Sequence, residues 1–124
     1  MIPIVSRLCL FLGMPAFEET ILSFFETIPE YYGCQTEVSI TLCDDPSQTE
    51  LHDATWMIAT FELARAAYRH RGDRLMMEGP GFYFELSASR LCHFHQKGRH
   101  KFEFIEDYGN GLFRLTKIRF ESIY

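Results

Sequence analysis

Hydrophobic side chains near the start of the chain recur at helical intervals. They follow at steps of four, three and four residues, at Phe17, Ile21, Phe24 and Ile28. This spacing places them on one face of an α-helix. Pro15 suits the first turn of such a helix, where no backbone donor is needed, and Pro29 cannot continue it. The pattern therefore predicts a helix over residues 15–28, whereas the apolar residues 2–12 fit either a strand or a short helix.

Strict alternation of apolar and polar side chains follows over residues 36–43. The sequence T-E-V-S-I-T-L-C puts Val38, Ile40 and Leu42 on one face and polar side chains on the other. Period-two alternation is the pattern of a half-buried strand. This segment therefore predicts the clearest strand of the chain.

A second helix is predicted over residues 48–70. Ser47 is followed three residues later by Glu50, which is the spacing of a helix capping box. Apolar residues then recur at intervals that suit one helical face, at Leu51, Ala54, Ile58, Phe61 and Ala64. Basic side chains crowd the last turn, where they favour the carbonyl end of a helix, and Gly72 is a natural terminator.

The period changes to two after Gly72, and turn residues divide the rest of the chain. The breaks lie at Pro80-Gly81, Lys97-Gly98 and Gly109-Asn110-Gly111, and each contains glycine, which favours tight turns. They separate five predicted strands, over residues 74–78, 82–87, 90–96, 99–106 and 112–124. In the last strand the apolar positions change from odd to even numbers near Thr116 and Lys117, which indicates a β-bulge.

These elements predict an α+β fold. We expect one domain over residues 1–124, in which two helices from the N-terminal half pack on a curved, mainly antiparallel sheet with a C-terminal meander of four to five strands. This order of elements is similar to cone-shaped folds, such as ketosteroid isomerase, in which a curved sheet wraps a helix around a pocket. The similarity is one of topology, and it transfers no site residue.

Composition and charge narrow the function classes. The chain has 124 residues, 47% of them hydrophobic, and a net charge of -5. This apolar content excludes a disordered tail, and the longest apolar run, residues 8–17, is about half the ~20 residues of a membrane span. Residues 1–62 hold one base against ten acids, and the remainder holds eleven bases against seven acids. Such polarity steers charged partners, unless the two halves pack together and neutralise each other.

Three histidines near one hairpin form a candidate metal site. If Lys97-Gly98 were a two-residue turn, His95 would face His100, and strand alternation would put His93 on the same face. Imidazole nitrogens in this arrangement bind Zn²⁺ in some enzymes. The alternative is a partly exposed hairpin tip whose charge changes with pH.

Basic residues offer a weaker candidate for anion binding. They cluster where the second predicted helix ends and on the hairpin, at Arg65, Arg69, Arg71, Arg74, Lys97, Arg99 and Lys101. Nucleic-acid partners are disfavoured because the whole chain is acidic. A small ligand that carries a phosphate needs only two or three such bases.

The leading expectation is a small acidic module that binds another protein. Acidic inhibitors of basic enzymes, such as immunity proteins that neutralise toxic nucleases, use charge in this way. The expected contact residues are Glu18, Glu19, Glu26, Glu30, Asp44 and Asp45. No catalytic motif is present, so an enzyme is disfavoured and no cofactor is expected.

Two alternatives stay open. A pocket between the curved sheet and a helix would suit a small enzyme or a ligand-binding protein, with His93, Glu85 and Glu103 as its ionisable groups. An exposed strand edge would instead suit a homo-oligomer. The four cysteines show no disulfide or metal framework, so we expect them to be reduced and the protein to be cytoplasmic, without membrane association.

Overall fold

The computed structural model describes residues 14–44, 55–69 and 71–121. Within these ranges the chain forms one helix, α1 (Met14–Thr27), which leads into a 3₁₀ turn (Ile28–Tyr31). Eight strands follow: β1 (Gln35–Cys43), β2 (Thr55–Glu62), β3 (Arg65–Arg69), β4 (Arg74–Gly79), β5 (Phe82–Ser87), β6 (Leu91–Gly98), β7 (Lys101–Gly109) and β8 (Leu112–Phe120). A second 3₁₀ turn (Ala88–Arg90) connects β5 to β6.

The predicted first helix is confirmed, and it ends where Pro29 enters the 3₁₀ turn. Its apolar stripe buries Ile21, Phe24 and Ile28. The ring of Phe24 lies 4.5 to 5.5 Å, between ring centroids, from three phenylalanines of β6 and β7, Phe94, Phe102 and Phe104. Helix α1 is therefore fixed to the sheet by aromatic packing.

The strands form two antiparallel sheets. The five-stranded sheet has the order β2-β1-β8-β7-β6, and the three-stranded sheet has the order β3-β4-β5. The helix and both sheets contribute side chains to one hydrophobic core, including Phe24, Leu75, Phe84 and Phe104. In the described residues no helix has the length and apolar character to cross a membrane.

The prediction of two helices on one sheet is wrong. Described residues of the second predicted helix form β2 and β3, so the expected fold class and its similarity to cone-shaped folds are wrong as well. The residues of β2 read T-W-M-I-A-T-F-E, a run rich in β-branched and aromatic types that fit a pleated sheet. Phe61 is buried between exposed Thr60 and exposed Glu62, which is alternation with period two. The capping pair and residues 2–12 lie outside the described residues.

The strand over residues 36–43 and the antiparallel arrangement of the later strands are confirmed. The chain does not form one continuous meander, however, because the turn Ala88–Arg90 carries it from the small sheet to the large one. The predicted turn at Lys97-Gly98 is also wrong. Strand β6 continues through Gly98, which pairs with Lys101, so Arg99 and His100 form the turn.

Strand β8 buries side chains on opposite faces of the sheet at its two ends. Phe113 and Leu115 are buried on one face, and Thr116, Ile118 and Phe120 are buried on the other. We call the face that carries Ile118 the inner face, because α1 and the small sheet cover it, and the opposite one the outer face. The predicted bulge near Thr116 is wrong, since β8 pairs in continuous register there with both neighbours.

Candidate functional site: an arginine-lined cleft between the two sheets

An open cleft of about 530 Å³ lies between the inner face of the large sheet and the small sheet. Its volume is in the range of small-molecule sites. The cleft is lined by Ile40, Met57, Arg74, Phe82, Tyr83, Phe84, Glu85, Ser87, Arg90, Tyr108 and Arg114. Aromatic rings and three arginines thus face the same space.

Glu106, on β7, anchors the base of this cleft. Its carboxylate is fully buried and accepts three hydrogen bonds: one from the backbone N–H of Ser87 (2.8 Å), one from the hydroxyl of Tyr108 (2.9 Å) and one from Nε of Arg114 (2.6 Å). A buried carboxylate is stable only when it is paired and hydrogen-bonded in this way. Glu106 therefore fixes the position of Arg114.

Arg114 joins the two sheets. Its Nη2 donates to the backbone oxygen of Glu85 on β5 at 2.6 Å, and its guanidinium lies over the ring of Phe84, 5.4 Å from the centroid. The side chain is 21% exposed, so part of the guanidinium still reaches solvent. Both charges of the Glu106–Arg114 pair are satisfied within the protein.

A second ion pair lies across the cleft on the small sheet. Arg74 Nε is 3.4 Å from Glu85 Oε1, and Arg74 Nη1 donates to the hydroxyl of Ser87 at 3.2 Å. The hydroxyl of Tyr83 donates to the same carboxylate, and this hydrogen bond raises the pKa of the Tyr83 phenol. Glu85 is thus compensated by Arg74.

Arg90 supplies the remaining positive charge of the cleft. Its guanidinium lies 4.9 Å from the centroid of the Tyr108 ring, and within the described ranges it has no carboxylate partner. A cation over an aromatic ring is oriented, but its charge is not neutralised. With the other two arginines paired to Glu106 and Glu85, the cleft carries one uncompensated positive charge.

The environment of Tyr108 keeps its hydroxyl protonated. Burial raises the pKa of the Tyr108 phenol above its ordinary value of 10.0, and the negative charge of Glu106 raises it further. Arg114 and Arg90 lower it in part. At neutral pH Tyr108 is therefore a hydrogen-bond donor to Glu106.

The three predicted metal ligands do not converge. His95 faces Glu103 across the strand pair, not His100, and His100 lies in the turn, where its Nδ1 is 3.0 Å from the hydroxyl of Tyr31. His93 Nε2 is 3.3 Å from Glu103 Oε1 on the outer face. No group of three His, Cys, Asp or Glu side chains in the described part of the chain is placed to hold a metal ion.

The expected partner-binding acids occupy separate parts of the fold. Glu19 and Glu26 are exposed on α1 and Glu30 is exposed in the 3₁₀ turn, whereas Asp44 follows the far end of β1. Strand β1 lies between Glu30 and Asp44, and nine residues extend about 30 Å. The Glu18 side chain and Asp45 lie outside what the structure describes.

The two oppositely charged halves of the sequence meet within one sheet. Strand β1 pairs with β8, and Glu37 Oε1 lies 3.4 Å from Arg119 Nε. Of the ionisable groups suggested for a pocket, Glu85 lines the cleft, while His93 and Glu103 are on the outer face. Local pairing thus offsets part of the charge polarity seen in the sequence.

The residues that build the cleft were not singled out from the sequence, apart from Glu85 and Arg74. A signal for Glu106 does exist, because it continues the even-numbered series of Phe102 and Phe104, both buried. A glutamate in the phase of a strand's buried positions predicts a charge that requires a partner. That partner, Arg114, becomes apparent only once β7 and β8 are paired.

No protein-family model, no curated protein and no solved structure matches this chain.

Proposed function

We propose that this protein binds a small organic carboxylate in the cleft between its two sheets. The observation that carries the proposal is the guanidinium of Arg90, which has no carboxylate partner among the described residues, in a cleft whose other arginines are compensated. A guanidinium forms two parallel hydrogen bonds to a carboxylate, and such charge-assisted bonds are among the stronger polar contacts in proteins. An anion in the cleft would complete its charge balance.

The walls of the cleft favour a ligand with a flat, unsaturated body. Phe82, Phe84 and Tyr83 line it from the small sheet, and Ile40 and Met57 line it from the large sheet. The side chain of Met57 is 47% exposed, which leaves apolar surface available for contact. Aromatic walls with a few fixed polar groups are the usual composition of small-molecule sites.

Isothermal titration calorimetry with benzoate and indole-3-carboxylate tests the proposal, with benzamide as the uncharged counterpart. We expect the carboxylates to bind and benzamide not to bind. Arg90→Gln should weaken carboxylate binding by at least tenfold, since one charge-assisted contact contributes about 1.5 to 3 kcal/mol.

The matched control is Arg99→Gln, which removes an exposed arginine in the turn between β6 and β7. It should leave the affinity for carboxylates unchanged. The proposal would be contradicted if folded Arg90→Gln bound the carboxylates with the same affinity as the wild-type protein.

We also propose a second candidate function, the binding of a protein with a basic surface, such as a toxic nuclease, through the acids of α1 and of the 3₁₀ turn that follows it. The observation in its favour is that Glu19, Glu26 and Glu30 are exposed and form no ion pair with any described residue. Such charges accelerate association with a basic partner, in a manner that salt suppresses. Cys34, Cys43 and Cys92 are thiols, which suits a reducing compartment such as the cytoplasm.

Co-purification with the wild-type protein and with a Glu19→Lys, Glu26→Lys, Glu30→Lys variant tests this second candidate. A basic protein that is retained by the wild type, released by salt and lost with the variant would support it. A partner retained equally by both would exclude α1 and the 3₁₀ turn as the contact surface. Asp44→Lys is the matched control, because Asp44 lies at the other end of β1.

A further inference from the structure

The outer face of the large sheet carries a second arrangement of charges, away from the cleft. Strand register places side chains in rows across the sheet. One row runs from Ile58 through Ser39, Lys117 and Glu103 to His95, and the next runs through Thr60, Glu37, Arg119 and Lys101. The cations of the two rows lie on adjacent strands, β7 and β8.

Two like charges are directly opposed in the second row. Lys101 and Arg119 are cross-strand partners in the β7–β8 pair. Side chains in this relationship have Cβ atoms about 5 Å apart, and like charges there destabilise a sheet. Lys117 lies on the same face, two residues from Arg119 along β8. Lys101 and Arg119 are thus held close together at some cost to stability, with Lys117 on the same face and opposite Glu103.

The carboxylates of this face neutralise only part of that charge. Glu37 is 3.4 Å from Arg119, and Glu103 is shared between Lys97 (3.8 Å) and His93 (3.3 Å). Neither carboxylate is within ion-pair distance of Lys101 or Lys117, and no other described residue pairs with these lysines. Among the described residues, this surface thus carries two lysines without a carboxylate partner, and an anion would complement them.

A groove of about 510 Å³ runs over these residues, and its walls are cationic in one part and apolar in another. Lys101, Lys117 and Arg119 line one part of it, and Ile58, with 52% of its surface exposed, lines another. The hydroxyl-bearing Ser39 lies between Lys117 and Ile58 in the row. A cationic end beside a hydroxyl and an apolar end suit a phosphate group attached to an organic body.

We propose that this groove binds an organic phosphate monoester of about mononucleotide size. The phosphate is held by Lys101, Lys117 and Arg119, with Ser39 as a further hydrogen-bond donor, and the organic part lies against Ile58. This site is on the opposite face of the sheet from the carboxylate cleft, and it is independent of it.

Calorimetric titration with adenosine 5′-monophosphate tests the proposal, with adenosine and inorganic phosphate as separate arms. We expect adenosine 5′-monophosphate to bind and adenosine not to bind, and inorganic phosphate to bind more weakly because it makes no contact with Ile58. Lys101→Gln and Lys117→Gln should each weaken binding of the monophosphate about tenfold. Inorganic phosphate that binds as tightly as the monophosphate would overturn the assignment to an organic ligand.

Arg90→Gln serves as the matched control, because it removes a cation from the cleft and leaves the groove intact. It should not alter binding of adenosine 5′-monophosphate, and Lys117→Gln should not alter binding of benzoate. Unchanged monophosphate affinity in both lysine variants would overturn the groove proposal and leave the cleft proposal standing. Misfolding is not expected to obscure the result, since Lys101→Gln removes a like-charge pair on an exposed sheet face.

Discussion

Glu106 and Arg114, which are cross-strand partners in the β7–β8 pair, form a buried ion pair whose Nε–Oε1 distance is 2.6 Å. The carboxylate is fully buried, and it also accepts hydrogen bonds from Ser87 and Tyr108. One side chain therefore holds together β7, β8 and the end of β5. This connection links the two walls of the cleft.

Glu106→Ala is expected to destabilise the protein by about 3 to 5 kcal/mol, the usual cost of leaving one partner of a buried pair without the other. The guanidinium of Arg114 and the donors from Ser87 and Tyr108 would all lose their acceptor. Urea unfolding monitored by circular dichroism measures the change. Glu106→Gln is the control, because it keeps an acceptor oxygen and should cost less. A loss below about 1 kcal/mol for the alanine variant would show that the pair does not hold the sheets together.

Stability is expected to fall at alkaline pH because of Tyr108. Its folded-state pKa is raised by burial, so the folded state favours the protonated phenol. This contribution is complete below the unfolded pKa of about 10, and it is lost as the pH rises through the folded pKa. Urea unfolding at pH 8 and at pH 11 should show a smaller pH-dependent loss for Tyr108→Phe than for the wild type. The same loss in both proteins would assign the effect to other groups, such as Tyr31 and Tyr83.

Gly79→Ala is expected to destabilise the chain strongly. A Cβ atom at this position would lie 2.1 Å from the backbone oxygen of Glu62 and 2.7 Å from the Phe61 ring. Backbone atoms cannot move aside as a flexible side chain can, so β4 would be displaced from the end of β2. We expect the free energy of unfolding to fall by about 1 to 3 kcal/mol, as for other overpacked sites, measured as a lower midpoint in urea.

Gly81→Ala is the comparison, since a Cβ there meets no atom within 4 Å although the φ of +75° adds strain. It should cost less, and the reverse order would contradict the steric argument.

Lys101→Thr is expected to stabilise the protein slightly. Lys101 is opposed to Arg119 across the β7–β8 pair, and threonine removes that repulsion while favouring a strand. We expect a gain of a few tenths of a kcal/mol that shrinks in high salt, because the repulsion is between solvent-exposed charges. Thermal unfolding at low and at high ionic strength measures it. A destabilised variant would mean that Lys101 makes a favourable contact that outweighs the repulsion.

The sequence predicts those parts of the fold in which local pattern and packing agree. The stripe from Ile21 to Ile28 is buried in the structure, and the alternating segment forms β1, although its apolar face is fully buried only at Val38 and Leu42 is exposed. The turns at Gly81 and Asn110 also form as predicted, because both residues adopt positive φ. These patterns are local, so they can be recognised in the sequence without knowledge of the tertiary structure.

The segment 55–69 could not be assigned from its own pattern. Ile58 and Phe61 are three residues apart, which suits a helical face, yet Ile58 is exposed and Phe61 is buried beside β1. Its alanines and its basic C-terminal end favoured a helix. The segment forms strands instead, because β2 pairs with the edge of β1 and β3 pairs with β4. Tertiary pairing of this kind overrides local propensity.

The cleft was not predictable for a related reason. Arg114 and Arg90 come from separate elements, and they line one cleft with Glu85 only because the chain leaves one sheet for the other at Ala88–Arg90. The three histidines do not face one another because the turn lies at residues 99–100, two residues beyond the predicted one. A shift in hairpin register changes every cross-strand neighbour.

The pairing of β1 with β8 has a consequence for how the protein is made. Glu37 and Arg119 are neighbours across strands yet lie 82 residues apart in sequence. The centre of the large sheet cannot assemble on the ribosome until nearly all of the described chain has emerged. Until then β1 exposes an unsatisfied strand edge, and contacts this distant in sequence form slowly. Nascent chains halted before residue 112 should therefore depend on chaperones in a way that the finished protein does not.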